Sequence, residues 1–487
     1  MKSNVCIIKS ENYFYPKEKA FRPACHYPEY PFQGNLSQSN HVYEMVREGF
    51  HLLGYDEEHW NTKQWNPLGQ FVKKGDTVVL KPNMVMDRNP VEPGTDCMIT
   101  NPSVVAAVAD YVALALQGEG RIVIGDAPVQ ECDFDKLIQE NGYLDLLQFY
   151  QEHLPDSITI ELVDFRQLRT KAVNGVYHSE QTNQEGVLIQ LNELSEFFEK
   201  DKNTFDKLRI TNYDPDILKQ HHNETTHEYL VSKYILEADV IINLPKPKTH
   251  RKAGVTIALK NMVGINSRKE YLPHHTNGSK QEGGDCYLKK SFLKEWKNQF
   301  LDKRNACMQT KKQYRRAWFY GKCAAVCSLL NQLGGSDVYF EGSWYGNDTI
   351  SRTLVDLNKI VFYADQNGNL CKEKQRKYLI VADMIISGEK EGPLEPSSKQ
   401  VGMIVMGENP VCFDETVAKL MGAKYEYIST LHHARKPHGD LPLVGEEQPY
   451  LISNDARWNQ KSLSEVQASD LLYFEPTSGW KEAFEQQ

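Results

Sequence analysis

The chain has 487 residues, of which 40% are hydrophobic and 25% charged, ordinary proportions for a folded protein and evidence against disorder along its length. One simple core is not expected at this length; two or three domains, or one large α/β domain with insertions, are. The formal net charge of −9 argues against general attraction to nucleic acid or anionic lipid, so any bound anion must be held by a local patch.

The chain opens with a loop-rich segment, residues 1–75. Its apolar run at residues 5–8 is followed at once by Lys9 and Glu11, too short for a secretory signal. No apolar stretch approaches the roughly 20 residues of a membrane span, so a cytoplasmic location without a span is expected. DTVVLKPN then forms a strand ending at Asn83. Asn101 and Pro102 open the periodic run SVVAAVADYVALALQ, a helix with Pro in its first turn, closed by Gly118 and Gly120. The strand RIVIGDAP, a helix over about 134–150 and the strand ITIELVD follow. This alternation predicts a parallel α/β unit. Residues 166–236 are polar and read as an insertion with its own hairpin. ADVIINLPKPKTH restores the strand signal, and a helix-rich insertion covers about 284–345. YLIVADMII and VGMIVMGENP read as strands and CFDETVAKLMG as a helix. The expected fold is α/β, a largely parallel sheet with helices on both faces. Its core spans 76–425, with the two insertions and a C-terminal extension, 426–487.

Several motifs resolve into plain readings. GEGRIVIG has its first glycines before a strand, the wrong place for a dinucleotide fingerprint. Asp214 and Asp216 have the spacing of a metal–nucleotide chelate but read as a solvated turn. His221, His222 and His227, and likewise His432, His433 and His438, lie in polar stretches and read as exposed histidines rather than metal ligands. The ten cysteines include no Cys-x-x-Cys. Cys323 and Cys327 sit at helical spacing in an apolar run, as core residues do, and no zinc or iron–sulfur site is expected.

The strongest local signal is PKPKTHRKAGVTIALKNMVGINSRK, residues 245–269. It holds seven Lys and Arg and His250 with no acidic residue, and it begins where the strand VIINL ends. Ligands of open α/β sheets bind beyond the carboxyl ends of strands. Lys246, Lys248, Thr249, Lys260 and Asn261 are therefore candidate binders of a phosphate or carboxylate. VTIAL reads as a strand that brings Lys260 and Asn261 to the core's edge. Two other strand exits carry Lys81 with Asn83, and Asp126 after Gly125, a small residue that admits a close-approaching backbone or ligand. Asp126, Asp383 and Asp414 are the candidate ligands if a divalent cation is bound; for Asp414 alone the plainer reading is a helix-dipole partner.

Together these segments resemble the DUF362 family in order and spacing: VVLKPNMV, the stretch from TNPSVVAAVADYV to IVIGDAP, VIINLPKPKTHRKAGVTIALKNMVGI, and VADMIISGEKEGP with GENPVCFDETVAKLMG. RKEYLPHHTNGSKQEGGDCY and YGNDTISRTLVDLNK resemble its longer branch, which is associated with polysaccharide-biosynthesis settings. The resemblance implies a fold and site positions rather than a reaction. Some members carry a ferredoxin-like cluster domain whose cysteines this chain lacks. The longer-branch segment adds His274 and Asp285, and Asp348, Arg352, Asp356 and Lys359 on one helix face, equally a surface salt-bridge row.

These readings predict an enzyme acting on an anionic small molecule, phosphorylated or carboxylated, in polysaccharide or sugar-nucleotide metabolism. Lys81, Lys246, Lys248 and Lys260 would bind the anion, with Asn83, Thr249, Asn261 and Asp285 around it. His250 or His274 would be the general acid or base, with Asp126 positioning a lysine. The alternative is a non-catalytic scaffold whose basic segment at 311–322 docks on an acidic protein partner. Lys248 and His250, two apart in an extended segment, are expected to face one cavity, and Lys248→Ala to abolish function while leaving the fold intact.

Overall fold

The computed structural model describes residues 1–17, 21–32, 36–37, 39–173, 176–334 and 339–486, without the side chains of 171–178. Among them one sheet holds 11 strands. In chain order these are β1 (Lys2–Lys9), β2 (Thr77–Pro82), β3 (Gly120–Asp126), β4 (Ile158–Asp164), β5 (Val240–Leu244), β6 (Lys248–His250), β7 (Gly254–Thr256), β8 (Lys377–Glu391), β9 (Glu395–Gly407), β10 (Gln448–Ser453) and β11 (Lys461–Ser462). The spatial order is β11–β10–β1–β9–β8–β5–β2–β3–β4, with β6 pairing to β7 and β8. Strands β8, β5, β2, β3 and β4 run parallel, and β9 is antiparallel to both of its neighbours.

Alternation along the apolar strands explains the layers. Val240, Ile242 and Leu244 of β5 enter one buried cluster and Ile241 the other; Ile122 and Ile124 of β3 split from Val123 in the same way. A strand buried on both faces reads as a continuous Val/Ile run. Helices α1 (His41–Leu52), α2 (Pro102–Ala115), α3 (Phe134–Glu140) and α4 (Tyr143–His153) cover one face. The other carries α5 (Ala258–Asn261), α8 (Thr349–Tyr363) and α9 (Pro410–Met421), the helices α6 (Phe292–Gln309) and α7 (Tyr314–Leu333) standing outside the core. The chain is thus an α/β protein, a mostly parallel sheet between two helical layers with helical insertions. Asn101 caps α2 as the sequence predicts, accepting from Ser103 N at 3.0 Å with Pro102 at the first turn.

Several local expectations differ. Residues 1–75 supply β1 and α1, not loops alone; four apolar residues are a weak local signal, and the partners of β1 lie hundreds of residues away in β9 and β10. The helix expected over 134–150 breaks into α3 and α4 at Gly142, which has φ 84°. VTIAL is not one strand. It ends at Thr256 and turns into α5, whose first amides, Ala258 N and Leu259 N, donate to Asp414 at 2.8 and 3.0 Å. Asp414 therefore caps a neighbouring helix rather than serving its own. Gly125 makes room not for a ligand but for the Phe165 ring, which a Cβ would meet at 2.4 Å.

The polar insertion contains the hairpin Leu168–Val173/Val176–Gln181 and the pair Gly186–Gln190/Glu228–Ser232. In the second insertion α6 and α7 pack along each other as a helical hairpin.

Candidate functional site

The site is assembled where parallel strands end. At the exit of β2, Lys81 Nζ meets Asp126 Oδ1, at the exit of β3, at 2.8 Å, with both groups buried. Asp126 also accepts from Met84 N at 2.6 Å and Ala127 N at 2.9 Å. Burial lowers the Lys81 pKa, and Asp126 opposes that shift. Gly264 closes over the pair so tightly that a Cβ there would lie 1.7 Å from Asp126 Oδ1. A chain of amides runs from the pair's edge into the core. Asn83 Nδ2 donates to Asn261 Oδ1 at 2.9 Å, and Asn261 Nδ2 donates to Asn243 Oδ1 at 2.7 Å and Lys81 O at 3.1 Å.

Beside these exits lies a cavity of about 670 Å³, within the range of small-molecule sites. Seven Lys and Arg line it (Lys248, Arg251, Lys252, Lys260, Lys269, Arg304 and Lys312) against two acids, Asp126 and Glu131. Lys248 Nζ donates to Asn83 Oδ1 at 2.8 Å and to Met98 O. Lys252 Nζ donates to Thr211 Oγ1 at 2.7 Å and Lys269 Nζ to Val263 O at 3.2 Å. Among the described residues none of Lys248, Lys252, Lys260 and Lys269 has a carboxylate at ion-pair distance. Burial lowers all four, Lys248 and Lys269 to about 7, Lys252 and Lys260 to about 8. Neighbouring ammonium groups add to the shift at each of these but Lys252, where Arg251 adds to it.

Two histidines on the cavity wall are held neutral in opposite forms. His250 Nδ1 accepts from Lys252 N at 3.0 Å and Ala253 N at 3.1 Å, which leaves the proton on Nε2. His274 Nδ1 lies 2.7 Å from Leu272 O and donates to it, leaving Nε2 as an acceptor. Burial, then Lys260, lowers the His250 pKa; burial, then Lys252, brings His274 down to about 3. Thr256 Oγ1, also on the wall, is buried without a hydrogen-bond partner.

Of the residues singled out by sequence, His250, His274, Asp126, Asn83, Lys248, Lys260 and Asn261 line this cavity. Others lie elsewhere. Lys81 stands behind Asp126. Lys246 is tied to Asp383 Oδ2 at 2.9 Å and to Tyr15 OH at 2.5 Å, so alternation along the segment fails at Pro245 and Pro247, where the strand is interrupted. Thr249 points away, donating to Lys390 O at 2.8 Å. Asp285 accepts from Thr276 N, Asp348 N and Thr349 N and fastens the start of α8. Asp126, Asp383 and Asp414 sit in three separate settings, and no metal-holding group of three or more His, Cys, Asp or Glu occurs among the described residues.

His222 and His227 are buried rather than exposed, at about 3 and about 4 through burial, packed near Phe197. Asp356 and Lys359 form no surface row. Lys359 Nζ meets Glu196 at 2.6 Å, and Asp356 accepts from Ser195 Oγ at 2.6 Å and Glu196 N at 2.8 Å, all buried. Lys252 and Lys269 belong to the cationic segment but were not chosen among the site residues, and Arg304 on α6 carried no sequence signal at all.

The fold and the cavity define an α/β protein with a strand-end cavity lined by more cations than acids. A family model described as a domain of unknown function, DUF362, matches residues 78–178 and 179–419, and the chain belongs to that family. A curated relative, "Thylakoid-associated protein sll1697" of Synechocystis, is 31% identical over 197 residues, 40% of this chain and 41% of that protein. The match thus spans about two fifths of the relative's length. That relative's name corrects the expectation of a purely cytoplasmic protein. Among solved structures, the lactate racemase apoprotein from Thermoanaerobacterium thermosaccharolyticum aligns with 58% of this chain and 46% of its own, at 12% identity and a TM-score of 0.23, a similarity from which nothing follows for this chain's chemistry. No helix among the described residues is long and apolar enough to cross a membrane.

Proposed function

We propose that the chain is an enzyme that binds a small molecule bearing a phosphate or carboxylate and moves a proton on it. The observation that carries this reading is the gathering of Lys248, Lys252, Lys260 and Lys269 around one cavity with no carboxylate partner. An unpaired buried ammonium costs several kcal/mol, so Lys248, Lys252 and Lys269, with the half-buried Lys260 beside them, are a standing cost to the fold that a bound anion offsets. Arg304 and Lys312 add cations from the helical hairpin, and Thr256 supplies a free hydroxyl. His250 Nε2–H is then a donor and His274 Nε2 an acceptor, an acid and a base of fixed tautomer. A bound anion raises both toward the range where they exchange protons. Lys248, at about 7, is poised as a second base. A location beside a membrane belongs to the reading, supported by the relative named for thylakoid association.

Thermal unfolding in inorganic phosphate and in small carboxylates tests it. The native protein is expected to gain about 2.7 kcal/mol at 100 times the dissociation constant. Lys260→Met is expected to bind at least tenfold more weakly. Stabilisation by none of these anions, or equal binding by the variant, sinks the reading.

A further inference from the structure

The helical hairpin of α6 and α7 carries a surface unlike the rest of the molecule. On α7, Phe319, Val326, Leu330 and Leu333 recur at i, i+7, i+11 and i+14, with Trp318 and Leu329 flanking them along one side. All six are exposed; Trp318 is 67%, Phe319 57% and Leu333 77% accessible. The buried residues of α7, Ala317, Ala324, Cys327 and Asn331, occupy the opposite side. Phe292 and Trp296, one turn apart at the start of α6, are exposed as well. Monomeric proteins rarely leave so continuous an apolar strip in water.

The charge is equally distinct. Residues 291–333 hold nine Lys and Arg against two Asp and Glu, a net of +7 in a chain whose total is −9. Arg315 and Arg316 sit one turn before Trp318 and Phe319, and Lys322 lies over the Trp318 ring at 5.4 Å. A second copy of the chain would set this positive surface against itself, which opposes self-association. An acidic protein partner answers the charge but not the strip of aliphatic and aromatic side chains.

We propose that the α6–α7 hairpin docks flat on an anionic lipid surface. Trp318, Phe319, Val326, Leu330 and Leu333 enter the boundary between headgroups and acyl chains. Arg315, Arg316 and Lys322 spread toward the lipid phosphates. Trp and Phe suit that depth, and long basic side chains reach back to the headgroups. The binding is peripheral, through one amphipathic face, and combines apolar burial with attraction to anionic lipid. It stands on the hairpin alone and does not depend on the chemistry of the cavity.

The test is co-sedimentation of the full chain with vesicles of three parts phosphatidylcholine to one part phosphatidylglycerol, and with phosphatidylcholine alone. The native chain is expected to pellet with the anionic vesicles. Partitioning should drop at least tenfold on pure phosphatidylcholine and in high salt, because each basic residue near the surface contributes measurably. The double variants Trp318→Ser/Phe319→Ser and Arg315→Glu/Arg316→Glu, all at exposed positions, should keep the native unfolding temperature and lose binding by at least tenfold. A native chain that stays in the supernatant, or variants that pellet like it, overturns the proposal. So does a lipid-free dimer in sedimentation velocity that the Trp318→Ser/Phe319→Ser variant abolishes, since the strip would then be a contact between copies.

Discussion

Burial brings the pKa of Lys248 down to about 7 and that of Lys260 to about 8. In the unfolded chain both return to about 10.5. Between those values the unfolded state holds more protons than the native one, so native stability rises with pH across that window. Anion binding runs the other way, because it requires the ammonium form. The affinity of a small carboxylate, ionised throughout this range, measured by calorimetry is therefore expected to fall several-fold from pH 7 to pH 9 while the unfolding temperature of the ligand-free protein rises. A flat affinity profile would show that these lysines do not hold the anion. Lys260→Met removes a half-buried charge with no carboxylate partner to lose. It should leave the unfolding temperature at pH 7 unchanged or higher and flatten its rise with pH. Lys248→Ala cannot be as clean as the sequence alone suggested. Lys248 is fully buried and donates to Asn83 and Met98, and stranding a buried acceptor costs about 1–3 kcal/mol.

At the scale of elements, two contacts hold the site's frame. Gly264 lies over the Lys81–Asp126 pair, and Gly264→Ala would drive a methyl into Asp126 Oδ1 and bring it within 2.7 Å of Lys81 Nζ. Separating a buried pair costs about 3–5 kcal/mol, so this variant is expected to lose that much in denaturant unfolding. Lys359 on α8 holds Glu196 at 2.6 Å and lies 3.8 Å from Asp356, fastening the polar insertion to the core. Lys359→Met leaves two buried carboxylates with too little compensation. A loss of similar size is expected, with early proteolysis between residues 166 and 236. The core strands were legible because a strand buried on both faces writes its apolar run locally, as Val240–Leu244 does. The cationic segment was legible because charge without counter-charge stands out. Which lysine of that segment faces the cavity was not: the choice between Lys246 and Lys248 is made by Asp383, 137 residues beyond Lys246. Arg304 reaches the site only because α6 folds back over it.

Over the whole molecule the buried histidines act in the same sense as the lysines. His222, His227 and His274 stay neutral to about 3, 4 and 3, whereas in the unfolded chain each takes a proton near 6.5. Stability from these groups is complete above that value and is lost as pH falls toward the native pKa values. The ligand-free protein should therefore unfold at progressively lower temperature from pH 6.5 to pH 4.5 in calorimetry, and replacing His222 and His227 by Gln should shallow that decline.

The position of β1 carries a different consequence. It lies between β9 and β10, pairing Val5 with both Gly407 and Leu451. A ribosome adding about 5–20 residues per second makes that last partner on the order of a minute after β1 has emerged. Until β9 is made the run Val5, Cys6, Ile7, Ile8 has neither neighbour, and until β10 is made one of its edges stays bare and open to other chains. The parallel strands from β2 to β8 can assemble while synthesis continues, so β1, made before them, is among the last to be seated. Yield in the cell should accordingly depend on holdase chaperones during translation more than on the equilibrium stability of the finished protein.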